Sequence, residues 1–426
     1  MQAVILAAGS SSRFWPLSEE KHKSLFRIMG KPIIQWTVES LKDAGVKDII
    51  IIQSPRKDVE NELGNGSKFG VKIKYEIQKK AEGMGEAVML VEKRIKGNFF
   101  VMNADNFDAK KIIPLLLKKQ KETKSNMVLI GRKTDTPWIF GILNIRKDKV
   151  INIIEKPPRG KEPSDLMVVG IYYLPQNFFS YHKRVKKHMY SFEDAINLYA
   201  KEKEAKVIMT DMNIPAIKYP WDIFKFSRIM LAEKIKKSEI SKKSDISPRA
   251  TIKGKVIIKE GVKIYENAVI SGPCYIGKNT IVGNNSIIRD YTNLEDDVLV
   301  GANAEVTRSN LQRGVNMHSG FIGDSAIDKE SKLGAGVVSA NIRIDRDEIK
   351  AVVKGEKINT GEKSLGIIMG ENSFFGVNVS AMPGILIGSN CIIGPGSIIK
   401  ENIDSNMVCY AEFKNVVKKN KKKQLK

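Results

Sequence analysis

The chain has 426 residues, 42% of them hydrophobic, and a formal charge of +23 at pH 7. That is enough chain for two or three domains with cores of their own, and the composition excludes a disordered protein. No apolar run nears the roughly 20 residues that cross a bilayer, so no membrane partner is expected.

In chain order, "AVILAA" comes first. It is too short for a signal peptide, lacks the preceding basic segment, and reads as a strand. It runs into the small-residue loop Gly9, Ser10, Ser11, Ser12, followed by Arg13 and later Lys23. Backbone N–H groups in such a loop can face phosphate oxygens, and the two cations favour an anionic ligand. "PIIQWTVESLKDAG" predicts a helix with Ile34, Val38 and Leu41 on one face and Gly45 ending it. The strand "DIIIIQ", a helix near Val59, the strand "VKIKYEIQ", a helix over 86–95 and the strand "FFVMNAD" follow. Continuous apolar strands between helices predict an α/β, Rossmann-like domain whose mostly parallel sheet is buried on both faces. Ligands of such sheets gather at the carboxyl ends of strands, where Gly9 and Asp105 fall. Neither GxGxxG nor GxxxxGK[ST] is present, which disfavours a dinucleotide dehydrogenase and a P-loop ATPase.

Residues 232–245, "AEKIKKSEISKKSD", read as a polar helix or linker. Beyond them Ile246, Ile252, Ile258, Ile264, Ile270, Ile276, Val282, Ile288, Leu294, Val300 and Val306 fall at every sixth position. Neither a helix nor a flat strand has that period. It predicts a triangular parallel coil, a left-handed β-helix over 246–412, with one inward aliphatic per side. A second run in another phase holds Phe321, Ile327 and Leu333; a third holds Phe375, Ala381, Ile387, Ile393 and Ile399. Gly277, Gly283, Gly301, Gly388 and Gly394 directly follow inward positions, where a turn needs little bulk. "NIRIDRDEIKAVVKGEKINTGEK" interrupts the hexads and is expected to leave the coil as a loop. Residues 413–426 form a basic tail.

The rest of the positive charge is scattered, mostly as Lys, and reads as a solvated surface. No specific nucleic-acid partner is expected, only weak contact of the tail with anionic surfaces. The three cysteines, Cys274, Cys391 and Cys409, are too dispersed for a disulfide framework or a thiolate metal site and fit a reducing cytoplasm.

The segment "LAAGSSSRFWPLSEEKHKSLFRIMGKPIIQW" resembles the signature of sugar-1-phosphate nucleotidylyltransferases, LAAGxGTRxxPLTxxxPKxLxPVxGKP. Further matches follow in that family's order: Gln78 with "GMGEA" (83–87), "NAD" ending at Asp105, "FGI" around Gly141, "EKP" at 155–157, "GIY" from Gly170 and "WD" ending at Asp222. The resemblance covers essentially residues 1 to 230, within a first domain set at 1–231. It implies attack of a sugar phosphate oxygen on the α-phosphorus of a nucleoside triphosphate, UTP or dTTP, with departure of pyrophosphate. By resemblance Arg13 and Lys23 contact the triphosphate beside Leu6, Ala8 and Gly9, and Asp105 and Asp222 hold one Mg2+. Gln78 reads the nucleobase, for which Gly83 leaves room, while Gly141, Glu155 and Lys156 line the sugar-phosphate side. Three positions depart from the pattern: Ser11 replaces a Gly, His22 replaces a Pro, and Val168 replaces an Asn that binds the sugar.

In the coil, "NMHSGFIGDSAIDKESKLGAGVVSANIRID" resembles the acetyltransferase region of archaeal-type bifunctional enzymes that make UDP-N-acetylhexosamines. The resemblance implies an amine attacking the thioester of acetyl-CoA while His318 takes its proton. Asn341 then holds substrate or acetyl-CoA, and Lys350 faces a phosphate. Phe321 stands where those relatives carry Tyr. Such coils pack as homotrimers. Two other readings compete. One is a monofunctional glucose-1-phosphate thymidylyl- or uridylyltransferase whose coil only oligomerises or regulates. The other is a basic solenoid that binds nucleic acid.

Overall fold

The computed structural model describes residues 1–212 and 216–419. Residues 420–426 of the expected basic tail lie outside the described residues. The chain divides into two compact units, Met1–Met230 and Leu231–Lys426.

The first unit is built on a ten-stranded sheet. Strands Lys72–Ile77, Asp48–Gln53, Gln2–Ala7 and Phe99–Asn103 run parallel in that order. Beyond them Ile171–Leu174 pairs antiparallel with Phe99–Asn103, and the hairpin of Gly141–Arg146 with Lys149–Glu155 continues the antiparallel side. The apolar runs are continuous because both faces are covered. Val4, Ile50, Ile52 and Val101 pack into one core, while Ala3, Ile5, Ile49, Ile51, Phe100 and Met102 pack into the other. Helix Ile33–Asp43 lays Ile34, Val38 and Leu41, all fully buried, on the second core. Gly45 at φ +83° then turns the chain away, a left-handed conformation that glycine adopts without strain. The helix expected over 86–95 forms as Met84–Met89 followed by a short 3-10 turn.

In the second unit three parallel sheets of eight, nine and eight strands wind a left-handed β-helix of the hexapeptide type. Each inward aliphatic stacks on the one three hexads later: Ile252 on Ile270, and Ile270 on Ile288. Asparagines such as Asn267, Asn285 and Asn303 occupy corners at φ near +57°. Their amides hydrogen-bond up the corner, Asn267 to Asn285 and Asn285 to Asn303, as expected of the side chain that best tolerates this conformation after glycine. The glycines after inward residues answer to close approach rather than to a loose turn. A Cβ on Gly301 would lie 2.1 Å from the His318 carbonyl oxygen, and one on Gly283 would lie 2.6 Å from the Ala302 nitrogen.

Three expectations need correction. Residues 232–245 are not a linker throughout: helix Asp222–Lys234 reaches into them, and Glu239–Ile240 already pairs in the first coil. Phe321 is not an inward residue. Ile322 stacks on Val306 and is fully buried, while Phe321 faces outward opposite Glu305. The cause is two shortened corners: one after Thr307, so that Leu311 rather than the next hexad position stacks on Leu294 and Met317 on Val300, and one between Met317 and Ile322, which lie five residues apart. Finally, the interruption of the hexads is not an open loop. It carries the hairpin Lys350–Val353 with Glu356–Asn359, whose Ile349, Ala351 and Val353 are buried with Leu365. The coil resumes in register, with Met369 on Ile327.

The stacking predicts a local response. Ile288→Ala removes a fully buried side chain from the column and should cost about 2–5 kcal/mol. Hydrogen exchange should rise across residues 231–419 and stay unchanged in the first unit; uniform exchange would contradict this arrangement.

Candidate active site

The loop after strand Gln2–Ala7 opens onto a cavity of about 560 Å³ in the first unit. Ser11 adopts φ +53°, which accounts for the glycine at this place in the resembling signature. A side chain there is strained by about 1 kcal/mol. The conformation is held because the Ser11 carbonyl accepts from Phe14 N at 2.8 Å and from Ser18 Oγ at 2.8 Å. A Cβ on Gly9 would meet nothing within 4 Å, so neighbouring protein atoms do not demand that glycine; it leaves the loop open to the cavity.

Leu6, Ala8, Gly9, Arg13, Lys23, Gln78, Gly83, Asp105, Glu155 and Lys156 all line this one cavity. Gln78 donates to the Gly83 carbonyl at 3.3 Å. Gly83 has φ +104°, and a Cβ there would strike the Met189 carbonyl oxygen at 2.5 Å, so the glycine lets another backbone close the wall. Gly141 stands just behind the cavity, where a Cβ would lie 2.6 Å from Glu155 Oε2 and 3.2 Å from Val168. It makes room for the Glu155 carboxylate.

Asp105 and Asp222, far apart in sequence, meet across one stretch of backbone. Ile217 N donates to Asp105 Oδ2 at 2.8 Å. Lys218 N and Tyr219 N donate to Asp222 Oδ2 at 2.7 and 2.6 Å. Lys23 Nζ lies 3.6 Å from Asp105 Oδ2 and also donates to the Ile217 carbonyl. Burial pushes the Asp222 carboxyl above its usual range, against the lowering effect of these N–H groups and of Lys23. In both aspartates Oδ2 takes these bonds. Asp105 lines the cavity and Asp222 is held next to it through Lys218, a wall residue; carboxylate oxygens are hard donors of the kind that suits Mg2+. The donor set fits the ion that the sequence implied.

In the second unit His318 is exposed at the end of strand Asn316–Met317. Phe321, Gly323 and Asn341 come together in the same unit: a Cβ on Gly323 would lie 2.7 Å from the Phe321 ring and 2.8 Å from Asn341 Nδ2. That amide donates to Asp324 at 2.6 Å, and Asp324 in turn accepts from Arg308 Nε and Nη2 at 2.6 and 2.8 Å. Lys350 stands exposed at the start of the hairpin.

The nucleotidyl transferase family profile matches residues 2–222. The chain is 32% identical, over 97% of its length, to the bifunctional sugar-1-phosphate nucleotidylyltransferase/acetyltransferase of Sulfurisphaera tokodaii and covers 99% of it. The chain belongs to the nucleotidyl transferase family. It is an enzyme of the sugar-1-phosphate nucleotidylyltransferase kind with hexapeptide coils behind the transferase unit, since hexapeptide profiles match 255–290, 273–308 and 366–401. The bifunctional protein GlmU of Methanococcus vannielii is 30% identical over 98% of this chain and all of its own length. A crystal structure assigned to a glucose-1-phosphate thymidylyltransferase of Bacillus anthracis aligns with a TM-score of 0.50 at 28% identity. It covers 56% of this chain and 98% of its own.

Several wall residues of this nucleotidyl transferase escaped sequence reasoning. Lys218 lines the cavity, and burial, Arg13 and Lys156 lower its pKa, in that order. Its signal was a lysine four residues before Asp222. Glu193 lies in the first turn of helix Ser191–Glu202, almost wholly buried, also in the wall. Nothing in "SFEDAINLYA" separates it from a helix-stabilising acid. Tyr190 Oη accepts from Lys156 Nζ at 3.3 Å.

His22, at the family's proline position, is buried, with Nδ1 2.7 Å from the Ser24 hydroxyl. Burial lowers its pKa to about 3, helped by Lys23 and Arg56. The folded unit therefore keeps His22 neutral, whereas an unfolded chain protonates it near 6.5. Its contribution to stability is complete above that value and is lost as pH falls toward 3. Moving from pH 7 to 5 should cost about 2 kcal/mol through this group. Chemical denaturation of His22→Gln should show a correspondingly flatter acid slope; an unchanged slope would refute the assignment.

Proposed function

We propose that the first unit transfers a nucleotidyl group from UTP or dTTP to a sugar 1-phosphate, and that the second acetylates an amino-sugar 1-phosphate with acetyl-CoA. Together the two steps would supply UDP-N-acetylglucosamine or a related nucleotide sugar. The observation that supports the first activity is the backbone stretch 217–219, which binds both Asp105 and Asp222 and accepts from Lys23, beside a cavity lined by Arg13, Lys23, Asp105 and Lys156. Both full-length relatives named above are bifunctional proteins, which supports pairing the two activities in one chain.

A phosphate oxygen of the sugar 1-phosphate forms a bond to the α-phosphorus as the α–β bridging bond breaks, and its electron pair leaves with pyrophosphate. Both reactants are anions, so the chain must offset their repulsion before they meet. Arg13 and Lys23 face the triphosphate and stabilise the charge that builds on the leaving group. Asp105 and Asp222 would hold the Mg2+ ion, which when bound neutralises phosphate charge. Lys156, beside Glu155, faces the sugar phosphate. Gln78, fixed by the Gly83 carbonyl, presents its carboxamide to the base.

In the second unit the exposed His318 imidazole takes the proton of the attacking amine as its nitrogen bonds to the thioester carbonyl carbon. The carbon–sulfur bond breaks and coenzyme A leaves as the thiol. Asn341, held by Asp324, positions substrate or acetyl-CoA, and Lys350 faces a phosphate. Outward apolar residues favour a homotrimer through the coil: Phe374, Ile392 and Val408 stack in one column, with Ile392 49% and Val408 64% exposed. Three free cysteines, two of them buried, fit a cytoplasmic setting, and no described helix is long and apolar enough to cross a membrane.

A matrix of triphosphates against sugar 1-phosphates, scored by pyrophosphate, tests the first activity. Arg13→Ala and Lys23→Ala should each lower kcat/KM about 100- to 1000-fold. Pyrophosphate release unaffected by either change would remove the assignment.

Acetyl-CoA with glucosamine 1-phosphate, read as free thiol, tests the second activity. Wild type should release thiol and His318→Ala should not. No thiol from wild type favours the monofunctional alternative, and equal thiol from the variant dismisses His318. Sedimentation at micromolar concentration should give a trimer; a monodisperse monomer would contradict the coil packing.

A further inference from the structure

Lys156 is placed to meet a phosphate, yet little in its own segment holds its side chain there. It follows strand Lys149–Glu155, its side chain is 43% exposed, and the Glu155 Oε1 oxygen stands 3.9 Å from Nζ. The backbone sets the direction in which the side chain leaves. Lys156 adopts φ +47°, a left-handed conformation that strains any residue with a Cβ, and its N–H donates to the Phe140 carbonyl at 3.0 Å. The four-carbon stem beyond it is free to spread over many rotamers, and fixing it costs side-chain entropy.

The stem is held from another part of the cavity wall. Tyr190 Oη accepts from Lys156 Nζ at 3.3 Å, and the same ammonium lies 5.2 Å from the centre of the Tyr190 ring, within cation–π reach. Tyr190 is in turn fixed by its own segment. Its N–H donates to His188 Nδ1 at 3.3 Å, while His188 Nε2 lies 2.7 Å from Asp194 Oδ2. One residue back, the Met189 carbonyl occupies the space that a Cβ on Gly83 would need, and Lys187 Nζ meets Glu86 Oε2 at 2.9 Å. The segment 187–190 thus runs from Gly83, on the proposed base side, to Lys156, and both Met189 and Tyr190 line the cavity. Tyr190 lies in none of the segments that carry the family resemblance.

We propose that Tyr190 is the positioning residue for Lys156, holding its ammonium where the phosphate of the sugar 1-phosphate arrives. The inference rests on the nucleotidyl-transfer reading, with Lys156 at the sugar phosphate, and deepens it. An ammonium has three N–H donors. With one on Tyr190 Oη and one toward Glu155, the third is left for a phosphate oxygen. The tyrosine acts through the lysine and on one substrate only, so its hydroxyl tightens binding of the sugar 1-phosphate and leaves the triphosphate alone.

Initial rates of pyrophosphate release in the full chain with Mg2+ test this, using the triphosphate and sugar 1-phosphate pair that wild type turns over fastest. Tyr190→Phe keeps the ring and removes the hydroxyl. It should raise KM for the sugar 1-phosphate about 3- to 10-fold, with kcat and the triphosphate KM unchanged. Tyr190→Ala, which also removes the ring, should raise it further. In a Lys156→Met background the Tyr190→Phe change should add nothing, since the hydroxyl then has no ammonium to hold. An unmoved KM in Tyr190→Phe overturns the proposal. So does an equal rise in KM for both substrates, which marks a merely structural role. A penalty that persists in full beside Lys156→Met overturns it too, because the hydroxyl would then act on substrate without the lysine. Turnover of no sugar 1-phosphate with any triphosphate is a different result, which removes the nucleotidyl-transfer reading and this inference with it.

Discussion

The chemistry proposed for the first unit depends on three successive backbone N–H groups. Those of Ile217, Lys218 and Tyr219 bind two aspartates that lie far apart in the sequence. Asp105 follows the strand Phe99–Asn103, where the parallel strands meet the antiparallel side of the sheet, and Asp222 opens the helix Asp222–Lys234. Without the intervening stretch the two carboxylates would repel each other and would have no fixed separation. With it, each is anchored through one oxygen, and Lys23 is drawn onto both Asp105 and the Ile217 carbonyl. The same stretch puts the Lys218 side chain into the cavity wall. One local backbone arrangement therefore sets the positions of the acids and of a cation.

The second unit is governed by a different constraint, the repeat distance between coils. An inward aliphatic must meet its partner in the next coil, and any residue lost at a corner shifts the phase of everything after it. The corner after Thr307 illustrates this. Leu311 and Met317 become the inward residues, a second shortening between Met317 and Ile322 makes Ile322 the next, and Phe321 turns outward beside Gly323 and Asn341. The change of phase is thus what puts an aromatic side chain next to the proposed acetyl-transfer residues. The inserted hairpin disturbs the coil little because the strands before and after it pair directly, Ala326 with Ile368 and Leu333 with Phe375.

How much of this was legible in the sequence depended on whether the signal was periodic or spatial. The hexads from Ile246 to Val306 and the helix bearing Ile34, Val38 and Leu41 were readable because burial repeats at a fixed spacing. The loop at Gly9, Lys23 and both aspartates were named through a resemblance, and ten of the residues named that way line one cavity. Lys218 and Glu193 were not, since neither burial nor the approach of residues from distant strands leaves a mark on the local sequence. The start of the coil at Glu239 was hidden for a related reason: an end coil exposes its residues, so its polar composition looks like a linker.

The positive charge of the chain shows why placement matters more than sum. On the surface, basic residues find carboxylates: Lys183 meets Glu92 at 2.6 Å, and Lys31 meets Glu39 at 2.7 Å. Where such partners act, as Glu86 does on Lys187 and Glu204 on Lys206, the lysine pKa rises. Lys218 shifts the other way, lowered by burial and then by Arg13 and Lys156. A cation that its neighbours destabilise is poorly served by the empty protein and gains most when an anion arrives. Glu193, almost wholly buried in the same wall, shifts upward, chiefly through burial. The net charge of +23 suits many binding roles equally well. What narrows the choice is placement: Arg13, Lys23, Lys156 and Lys218 stand together in the wall of one cavity.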